Sequence, residues 1–345
     1  MSFNCYFCRI VLKSKKMKTV GVNGFGRIGR CFTRFALMDP EISVALVNDL
    51  ADIATLAHLL KYDSVHGVFP LQFQIEGSSL VFENGKKITF CSQKDPAQIQ
   101  WANYGVETVI ESTGLFLTRE SASQHLIGGA KRVIISAPAN DETIPSLVMG
   151  VNDQQIDWSD PILSNASCTT NNAAPMVKVL NELVSIDVAY ISTVHSYTSD
   201  QRLHDAPHKD LRRARAAANS IIPTSTGAAK AITRIFPALK GKITGGSFRV
   251  PVCDGSITEM TIVTSSAVTT EQINAAMKAA AAGPLKGIMY YTEDPIVSVD
   301  VIGNTHSVVF DAQLTTVFNG LIKVAGWYDN EMGYSKRLTD VVKHA

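Results

Sequence analysis

The sequence lacks the features that mark several classes of protein. Its 345 residues carry 32 Lys and Arg against 31 Asp and Glu. The charge balance therefore gives no reason to expect nucleic acid as the main partner. No apolar run approaches the roughly 18 residues that a membrane-spanning helix needs. Six cysteines scattered over so long a chain are typical of a reducing cytoplasm, not of a disulfide scaffold. We therefore expect a cytoplasmic protein without a membrane partner.

The first 16 residues, MSFNCYFCRIVLKSKK, differ in character from the rest of the chain. Their basic residues follow the apolar ones, which is the reverse of the order in a secretory signal. Cys5 and Cys8 form a Cys-x-x-Cys pair, but a zinc site needs a second pair of ligands, and none is seen nearby. We predict an N-terminal extension over residues 1–16, ahead of an alternative start at Met17, and no metal site.

From Met17 onward, strand and helix patterns alternate. The runs KTVGVN and EISVALVND are strand-like and flank the helix pattern IGRCFTRFALM, and Asn84-Gly85 predicts a hairpin turn within SLVFENGKKITF. This alternation favours an α/β, Rossmann-like domain built on a parallel, doubly wound sheet. After Cys168 the β-rich runs lengthen, which predicts an α+β second domain with a large mixed or antiparallel sheet. Tyr334, Leu338 and Val342 have the spacing of a closing helix.

A glycine-rich turn follows the first predicted strand. Gly24, Gly26 and Gly29 form G-x-G-x-x-G between a strand and a helix, the context in which this motif binds the pyrophosphate of a dinucleotide. Asp49 ends the second strand about 20 residues later, where a carboxylate can bind both ribose hydroxyls and repel a 2′-phosphate. These residues predict binding of NAD in preference to NADP.

Cys168 is the candidate nucleophile. It ends an apolar strand and precedes the helix pattern TTNNAAPMVKVLNELV, in whose first turn we place Pro175. A helix N-terminus favours a thiolate. His195 lies on the next strand, and consecutive parallel strands are usually neighbours, so the two side chains should meet at one sheet edge. The imidazole would hold the thiolate as an ion pair and then transfer protons.

With these motifs, the sequence resembles the phosphorylating glyceraldehyde-3-phosphate dehydrogenase family. The resemblance runs from Met17 to the C-terminus and rests on segments that include VGVNGFGRIGR, SNASCTTN, TVHSYTSDQ, HKDLRRARAAANSIIPTSTGAAKA, FRVP and WYDNEMGYS. It implies an NAD-binding domain over 17–166, completed by a C-terminal helix over 331–345, and a catalytic domain over 167–330. It also implies a homotetramer that oxidises glyceraldehyde 3-phosphate with NAD and inorganic phosphate to 1,3-bisphosphoglycerate, through a thioester on the cysteine.

The resemblance also implies a role for each matching residue. Cys168 would be the nucleophile and His195 the base. The residues expected to contact NAD are Asn23, Phe25, Gly26, Arg27, Ile28, Asp49, Thr113, Ser136 and Asn330, the last holding the nicotinamide amide. The expected phosphate-binding residues are Thr198 and Arg249 for the substrate, Ser167, Thr169, Thr226 and Gly227 for inorganic phosphate, and Arg213 between the two.

Several positions depart from the family pattern. VCDGSITEM follows FRVP where the family more often has TPNVSVVDL, a change that we expect to affect packing. Ala206 stands where a leucine is frequent, which could loosen the rejection of NADP. Two alternatives stay open: a related dehydrogenase acting on erythrose 4-phosphate, and a secondary, non-enzymatic binding role at a surface or on nucleic acid.

Overall fold

Two large β-sheets with flanking helices make up residues 17–345, the part of the chain that a computed structural model describes. The predicted extension over 1–16, with Cys5 and Cys8, lies outside the described residues. The strands of the first half are β1 Lys18–Asn23, β2 Ile42–Asn48, β3 Tyr62–Asp63, β4 Gly67–Val68, β5 Phe73–Glu76, β6 Ser79–Phe82, β7 Lys87–Cys91, β8 Thr108–Glu111, β9 Arg132–Ile135 and β10 Ile162–Ser164. Those of the second half are β11 Val188–Ser196, β12 Ile222–Thr224, β13 Ile243–Val250, β14 Ser256–Val263, β15 Met289–Thr292, β16 Val308–Asp311, β17 Thr316–Phe318 and β18 Leu321–Tyr328. The helices are α1 Arg27–Met38, α2 Ile53–Lys61, α3 Arg119–Ile127, α4 Cys168–Leu183, α5 Ala228–Ile235, α6 Thr270–Ala282 and α7 Met332–His344.

The first sheet has the strand order β10-β9-β8-β1-β2-β7-β6-β5. Strands β10 to β7 of this order pair in parallel, and β6 and β5 add an antiparallel edge. The predicted hairpin is confirmed as β6–β7, with Gly85 at a φ of +82° in its turn. β1 lies inside the sheet, and the chain continues from it to β2 on one side and later to β8 on the other. This reversal of the strand order opens a crevice at the carboxyl ends of β1, β2 and β8, where ligands of such sheets bind.

The C-terminal helix packs against the first sheet. Tyr334, Leu338 and Val342 of α7 are buried in the same apolar cluster as Val20 and Val22 of β1, which confirms the predicted closing helix. The segment that follows the second sheet thus contributes to the core of the first. The limits of the two domains stay a prediction. Within residues 17–345, no helix combines the length and the apolar character needed to cross a membrane.

The second sheet is mixed, as predicted. Its order is β12-β13-β11-β14-β18-β16-β15, with β17 paired to β18. β11 pairs in parallel with β13 and antiparallel with β14, so the strand that carries His195 lies inside the sheet. Its inner face packs on α4 and α6 through a cluster that includes Ile191, Met260 and Val324. The resulting rigidity fixes the side chains at the end of β11.

Two expectations about the region of Cys168 were wrong. β10, which precedes Cys168, belongs to the first sheet, and β11 belongs to the second, so the two strands are not neighbours. α4 connects the two sheets instead. Pro175 lies inside α4 and not in its first turn, because the helix already begins at Cys168. The sequence TTNN contains poor helix formers, but the capping hydroxyl of Ser167 starts the helix before them.

Candidate active site

The glycine turn after β1 is shaped by two close approaches. Gly24 has a φ of +90°, and a Cβ added there would lie 2.8 Å from the main-chain nitrogen of Thr113. A Cβ on Gly29 would lie 2.2 Å from the carbonyl oxygen of Gly24. Both positions therefore require glycine. By contrast, a Cβ on Gly26 would have no atom within 4 Å, so this side of the turn is open for a ligand.

The open side of the turn faces a cleft of about 520 Å³ at the carboxyl ends of the parallel strands. Asn23, Gly26, Asp49 and Thr113, all predicted to contact NAD, line this cleft. Helix α1 begins here with neither a side-chain cap nor an acidic residue in its first turn, so its N–H groups are available to an anion. The Oδ2 atom of Asp49 accepts the Phe25 N–H at 2.7 Å, which fixes the carboxylate beside the turn.

The remaining residues of the predicted cofactor set have other contacts. The Phe25 ring is buried, edge-on to Phe90 with centroids 5.4 Å apart, and Ile28 packs against the core of the first sheet. The Arg27 guanidinium pairs with Asp63 at 2.8 Å and with Glu331. Their main chains, however, form the turn before α1 and its first residues. Ser136, another member of this set, follows β9, and its N–H donates to the carbonyl oxygen of Glu111 at 2.9 Å.

Asn330 has an oriented amide. Its Oδ1 atom accepts hydrogen bonds from the hydroxyls of Ser196 and Ser256, each at 2.7 Å. Among the described residues, its Nδ2 group has no hydrogen-bond partner. The amide nitrogen is thus left as a donor, which suits the carboxamide oxygen of a nicotinamide. Together with the open glycine turn, this free donor fits NAD.

Cys168 is the first residue of α4, and the turn before it is constrained. Ala166 has a φ of +52°, a conformation that costs energy for a residue with a side chain and is found at functional sites. The hydroxyl of Tyr334 on α7 donates to its carbonyl oxygen at 3.0 Å. The Ser167 hydroxyl then accepts the Thr170 N–H at 3.0 Å, which caps the helix. These contacts place the thiol at a fixed point at the helix start.

The thiol meets the predicted base. Cys168 Sγ lies 3.4 Å from His195 Nε2, which confirms that the two side chains come together. On the far side of the ring, His195 Nδ1 lies 2.8 Å from the carbonyl oxygen of Ser196 and 2.7 Å from Arg249 Nη1. Arg249 reaches this position because β13 pairs with β11 in a register that sets Arg249 opposite His195.

The electrostatics of this pair differ from our expectation. Burial raises the pKa of the Cys168 thiol, although the charge of Arg249 and hydrogen bonding to Thr169 lower it. Burial and the Arg249 charge lower the pKa of His195 to about 3. The structure therefore favours a neutral thiol beside a neutral imidazole, not the ion pair expected from the helix start. A neutral imidazole can accept the thiol proton at Nε2 only in the tautomer whose Nδ1 donates to the Ser196 carbonyl oxygen. Arg249, which can only donate, then donates to the same carbonyl oxygen at 3.0 Å.

Comparison with known proteins decides the family. Residues 18–119 match the model described as the NAD binding domain of glyceraldehyde 3-phosphate dehydrogenase, and residues 167–330 match the model of its C-terminal domain. The chain is 52% identical over 330 residues to glyceraldehyde-3-phosphate dehydrogenase 1 of Bacillus cereus, covering 95% of this chain and 98% of the relative. It is 53% identical over 327 residues to the Geobacillus stearothermophilus dehydrogenase, covering 94% and 97%. The chain belongs to the glyceraldehyde-3-phosphate dehydrogenase family.

Of the residues expected to bind phosphate in this family, Arg249 and Arg213 lie near the Cys168–His195 pair. Arg249 contacts His195 directly, and the charge of Arg213 also lowers the pKa of His195. Thr198 lies two residues beyond the end of β11. Gly227 is the N-cap of α5 and is exposed, and the Thr226 hydroxyl accepts the Ala228 N–H at 3.2 Å.

Partners within the chain are also present for Arg213, Ser167 and Thr169. Arg213 pairs with Asp200, and its Nε atom donates to Thr224 Oγ1 at 2.9 Å. The Ser167 hydroxyl caps α4. The Thr169 hydroxyl lies 3.0 Å from the hydroxyl of Tyr328. A phosphate near Arg213 would therefore compete with the Asp200 carboxylate.

Several residues near the Cys168–His195 pair and Asn330 were not predicted from the sequence. Tyr328, at the end of β18, lies edge-on to His195 with ring centroids 5.9 Å apart. Asp200 was visible only as part of the segment TVHSYTSDQ. Asp254 and His66 lie behind Asn330; His66 belongs to the matching segment LLKYDSVHG, but no role was predicted for it. Their positions depend on contacts between distant segments, which no local spacing reports.

Proposed function

We propose that this chain catalyses the NAD-dependent oxidative phosphorylation of D-glyceraldehyde 3-phosphate to 1,3-bisphosphoglycerate. The observation that carries the proposal is the 3.4 Å approach of Cys168 Sγ to His195 Nε2 at the start of α4, beside the cation of Arg249. The open glycine turn and the free amide donor of Asn330 support the cofactor assignment. Membership of the family supports the assignment of glyceraldehyde 3-phosphate as the substrate.

The first half of the reaction forms a bond to Cys168. His195 Nε2 accepts the thiol proton, the sulfur adds to the aldehyde carbon, and His195 returns the proton to the substrate oxygen to give a hemithioacetal. The main-chain N–H of Cys168 and the His195 side chain stabilise the charge that develops on the substrate oxygen. His195 then removes the hydroxyl proton. NAD, when bound, supplies the acceptor for the hydride that leaves the same carbon, and a thioester on Cys168 remains.

The second half breaks the carbon–sulfur bond. An oxygen of inorganic phosphate attacks the thioester carbon, the acyl phosphate leaves, and Cys168 returns as thiolate. We assign the substrate phosphate to Arg249 and Thr198, because the guanidinium offers charge-assisted hydrogen bonds beside the reacting pair. The inorganic phosphate is assigned to Thr226 and Gly227 at the exposed start of α5, together with Ser167 and Thr169 at the start of α4.

We further propose that the protein is a homotetramer. The outer face of β11 and β13 exposes Tyr190, Val194 and Phe248, by 49%, 39% and 41%. Leu211, 82% exposed, lies in the loop that flanks this face. Contiguous apolar patches of this kind mark interaction surfaces. A cytoplasmic location is consistent with the free thiols of Cys31, Cys91, Cys168 and Cys253.

One assay tests the proposed reaction. NADH formation with glyceraldehyde 3-phosphate should continue when inorganic phosphate is present and stop after one burst per site when it is absent, because the thioester then accumulates. Replacing the substrate with erythrose 4-phosphate should give a lower kcat/KM. Sustained turnover without phosphate, or a preference for erythrose 4-phosphate, would contradict the assignment.

A further inference from the structure

A buried aspartate lies behind the proposed nicotinamide site. Asp254 is in the turn between β13 and β14, and its side chain has no exposed surface. In TPNVSVVDL, the family's more frequent form of VCDGSITEM, the residue at this position is asparagine. We expected this departure to affect packing. The contacts of the Asp254 carboxyl group indicate a role in positioning as well.

One oxygen of Asp254 fixes the main chain of the nicotinamide site. Its Oδ1 atom accepts the N–H of Gly255 at 2.8 Å and the N–H of Asn330 at 3.2 Å. The Asn330 side chain is itself held by the hydroxyls of Ser196 and Ser256. Asn330 is therefore fixed twice, through its main chain by Asp254 and through its amide by two serines.

The other oxygen of Asp254 lacks a proton donor. Its Oδ2 atom lies 3.1 Å from His66 Nε2 but has no hydrogen bond among the described residues. The same Nε2 atom is 3.0 Å from Asp329 Oδ2 and can donate its single proton there. Two carboxyl groups thus converge on one N–H, an arrangement in which both cannot be ionised without repulsion. A proton on Asp254 removes the conflict.

The charges around this cluster favour protonation of the Asp254 carboxyl group. Around the cluster lie Arg27 and Cys31 of α1, Asp63 of β3, His66, and Asp329 and Glu331 before α7. Burial raises the pKa of Asp254 to about 7, the nearby His66 opposes this rise, and the charges of Asp329 and Glu331 add to it. Burial lowers the pKa of His66, but its contacts with Asp254, Asp329 and Asp63 outweigh burial and raise the pKa overall. His66 therefore stays cationic while Asp254 titrates.

We propose that Asp254 is a positioning residue for the nicotinamide site, and that a proton held between its carboxyl group and Asp329 keeps the main chain of Asn330 in the binding position. Loss of the proton places two carboxylates against one His66 N–H and displaces Asn330, so NAD binds less tightly. The inference rests on the proposed function, because it assigns Asn330 to the nicotinamide.

The test compares the full chain with its Asp254→Asn variant. Asparagine keeps the carbonyl oxygen that accepts the Asn330 N–H and offers an N–H group toward Asp329, so it imitates the protonated aspartate. The dissociation constant for NAD should rise about 3- to 10-fold between about pH 6 and about pH 8.5 in the wild type, the effect of roughly one hydrogen bond. The variant should keep the low-pH affinity throughout. Asp157→Asn, at an exposed position, is the control and should follow the wild type.

Thermal unfolding without NAD gives an independent measurement. Because folding raises the pKa of Asp254 above its ordinary value of 3.8, the stability linked to its proton is present at low pH and is lost as the pH rises toward 7. The Tm difference between Asp254→Asn and wild type should therefore increase from about pH 4 to about pH 7 and then level off. A purely structural role would give a constant difference.

The outcomes distinguish failure of this inference from failure of the proposed function. If NAD binds to both proteins with the same pH dependence, or the Tm difference is independent of pH, Asp254 does not act through a proton and the inference is overturned. If the wild type does not bind NAD at any pH, the proposed function fails, and the inference fails with it.

Discussion

Replacing Arg249 with leucine should separate two effects of one guanidinium. The first is loss of the proposed contact with the substrate phosphate. Charge-assisted hydrogen bonds contribute about 1.5–3 kcal/mol each, so kcat/KM for glyceraldehyde 3-phosphate should fall by about 10- to 150-fold. Unphosphorylated glyceraldehyde has no phosphate to lose, and its kcat/KM should fall much less.

The second effect arises from the 2.7 Å contact between Arg249 Nη1 and His195 Nδ1. Burial and this charge together lower the pKa of His195 to about 3, and the same charge favours the Cys168 thiolate. In the leucine variant the pKa of both groups should rise. The acid limb of the kcat/KM profile should then move to higher pH, even with unphosphorylated glyceraldehyde, and alkylation of Cys168 by iodoacetamide should require a higher pH.

The measurements are the two kcat/KM profiles and the alkylation rate of Cys168 as functions of pH. Arg234→Leu is a suitable control, because Arg234, on α5, forms an ion pair with Glu142 at the surface. Alkylation profiles that superimpose for Arg249→Leu and wild type would refute the electrostatic argument. Equal losses of kcat/KM for the phosphorylated and unphosphorylated aldehydes would refute the phosphate contact.

Three further variants test other parts of the proposed site. Asp49→Gly should narrow the preference for NAD over NADP, measured as the ratio of kcat/KM values, because it removes the carboxylate that repels a 2′-phosphate; a wild-type preference for NADP would contradict this. Thr226→Ala should raise the KM for inorganic phosphate and leave the burst of NADH intact, since hydride transfer precedes phosphate attack; loss of the burst would place Thr226 elsewhere. Phe248→Glu should reduce the molecular mass measured by light scattering, because it places a charge in the proposed subunit interface. Ile127→Glu, at an exposed position on α3, should leave the mass unchanged. An unchanged mass for Phe248→Glu would exclude the outer face of β11 and β13 from the interface.

The features that the sequence predicted well depend on local chemistry. Asn84-Gly85 predicts its hairpin because the turn needs a positive φ, and Gly24 and Gly29 occupy positions where a Cβ has no room. Alternating strands and helices likewise predict a parallel sheet without knowledge of its partners. The convergence of Cys168 and His195 was predicted correctly, but for the wrong reason. Strand adjacency was assumed, whereas β10, which precedes Cys168, and β11, which carries His195, belong to different sheets.

The features that the sequence did not predict depend on long-range contacts. Pro175 led us to predict a later helix start, because proline usually occurs in the first turn of a helix and not in its interior. No local rule indicates that α4 begins at Cys168 and contains Pro175 in its interior. The neutral state of His195 follows from burial and from the charge of Arg249, which is 54 residues away and meets it through strand register. The opposition of Asp254 and Asp329 around His66 joins three separate segments. Spacing within one segment carries no information about such encounters.

The position of α7 has a consequence for biosynthesis. Tyr334, Leu338 and Val342 complete the apolar core around β1 and β2, yet the ribosome makes them after every strand of the second sheet. The first sheet therefore emerges with part of its core uncovered, and its final packing waits for translation of the last helix. Chaperones should bind nascent chains that stop before residue 332 more strongly than full-length chains. Damage to the C-terminal helix should thus affect cofactor binding before it affects the second sheet.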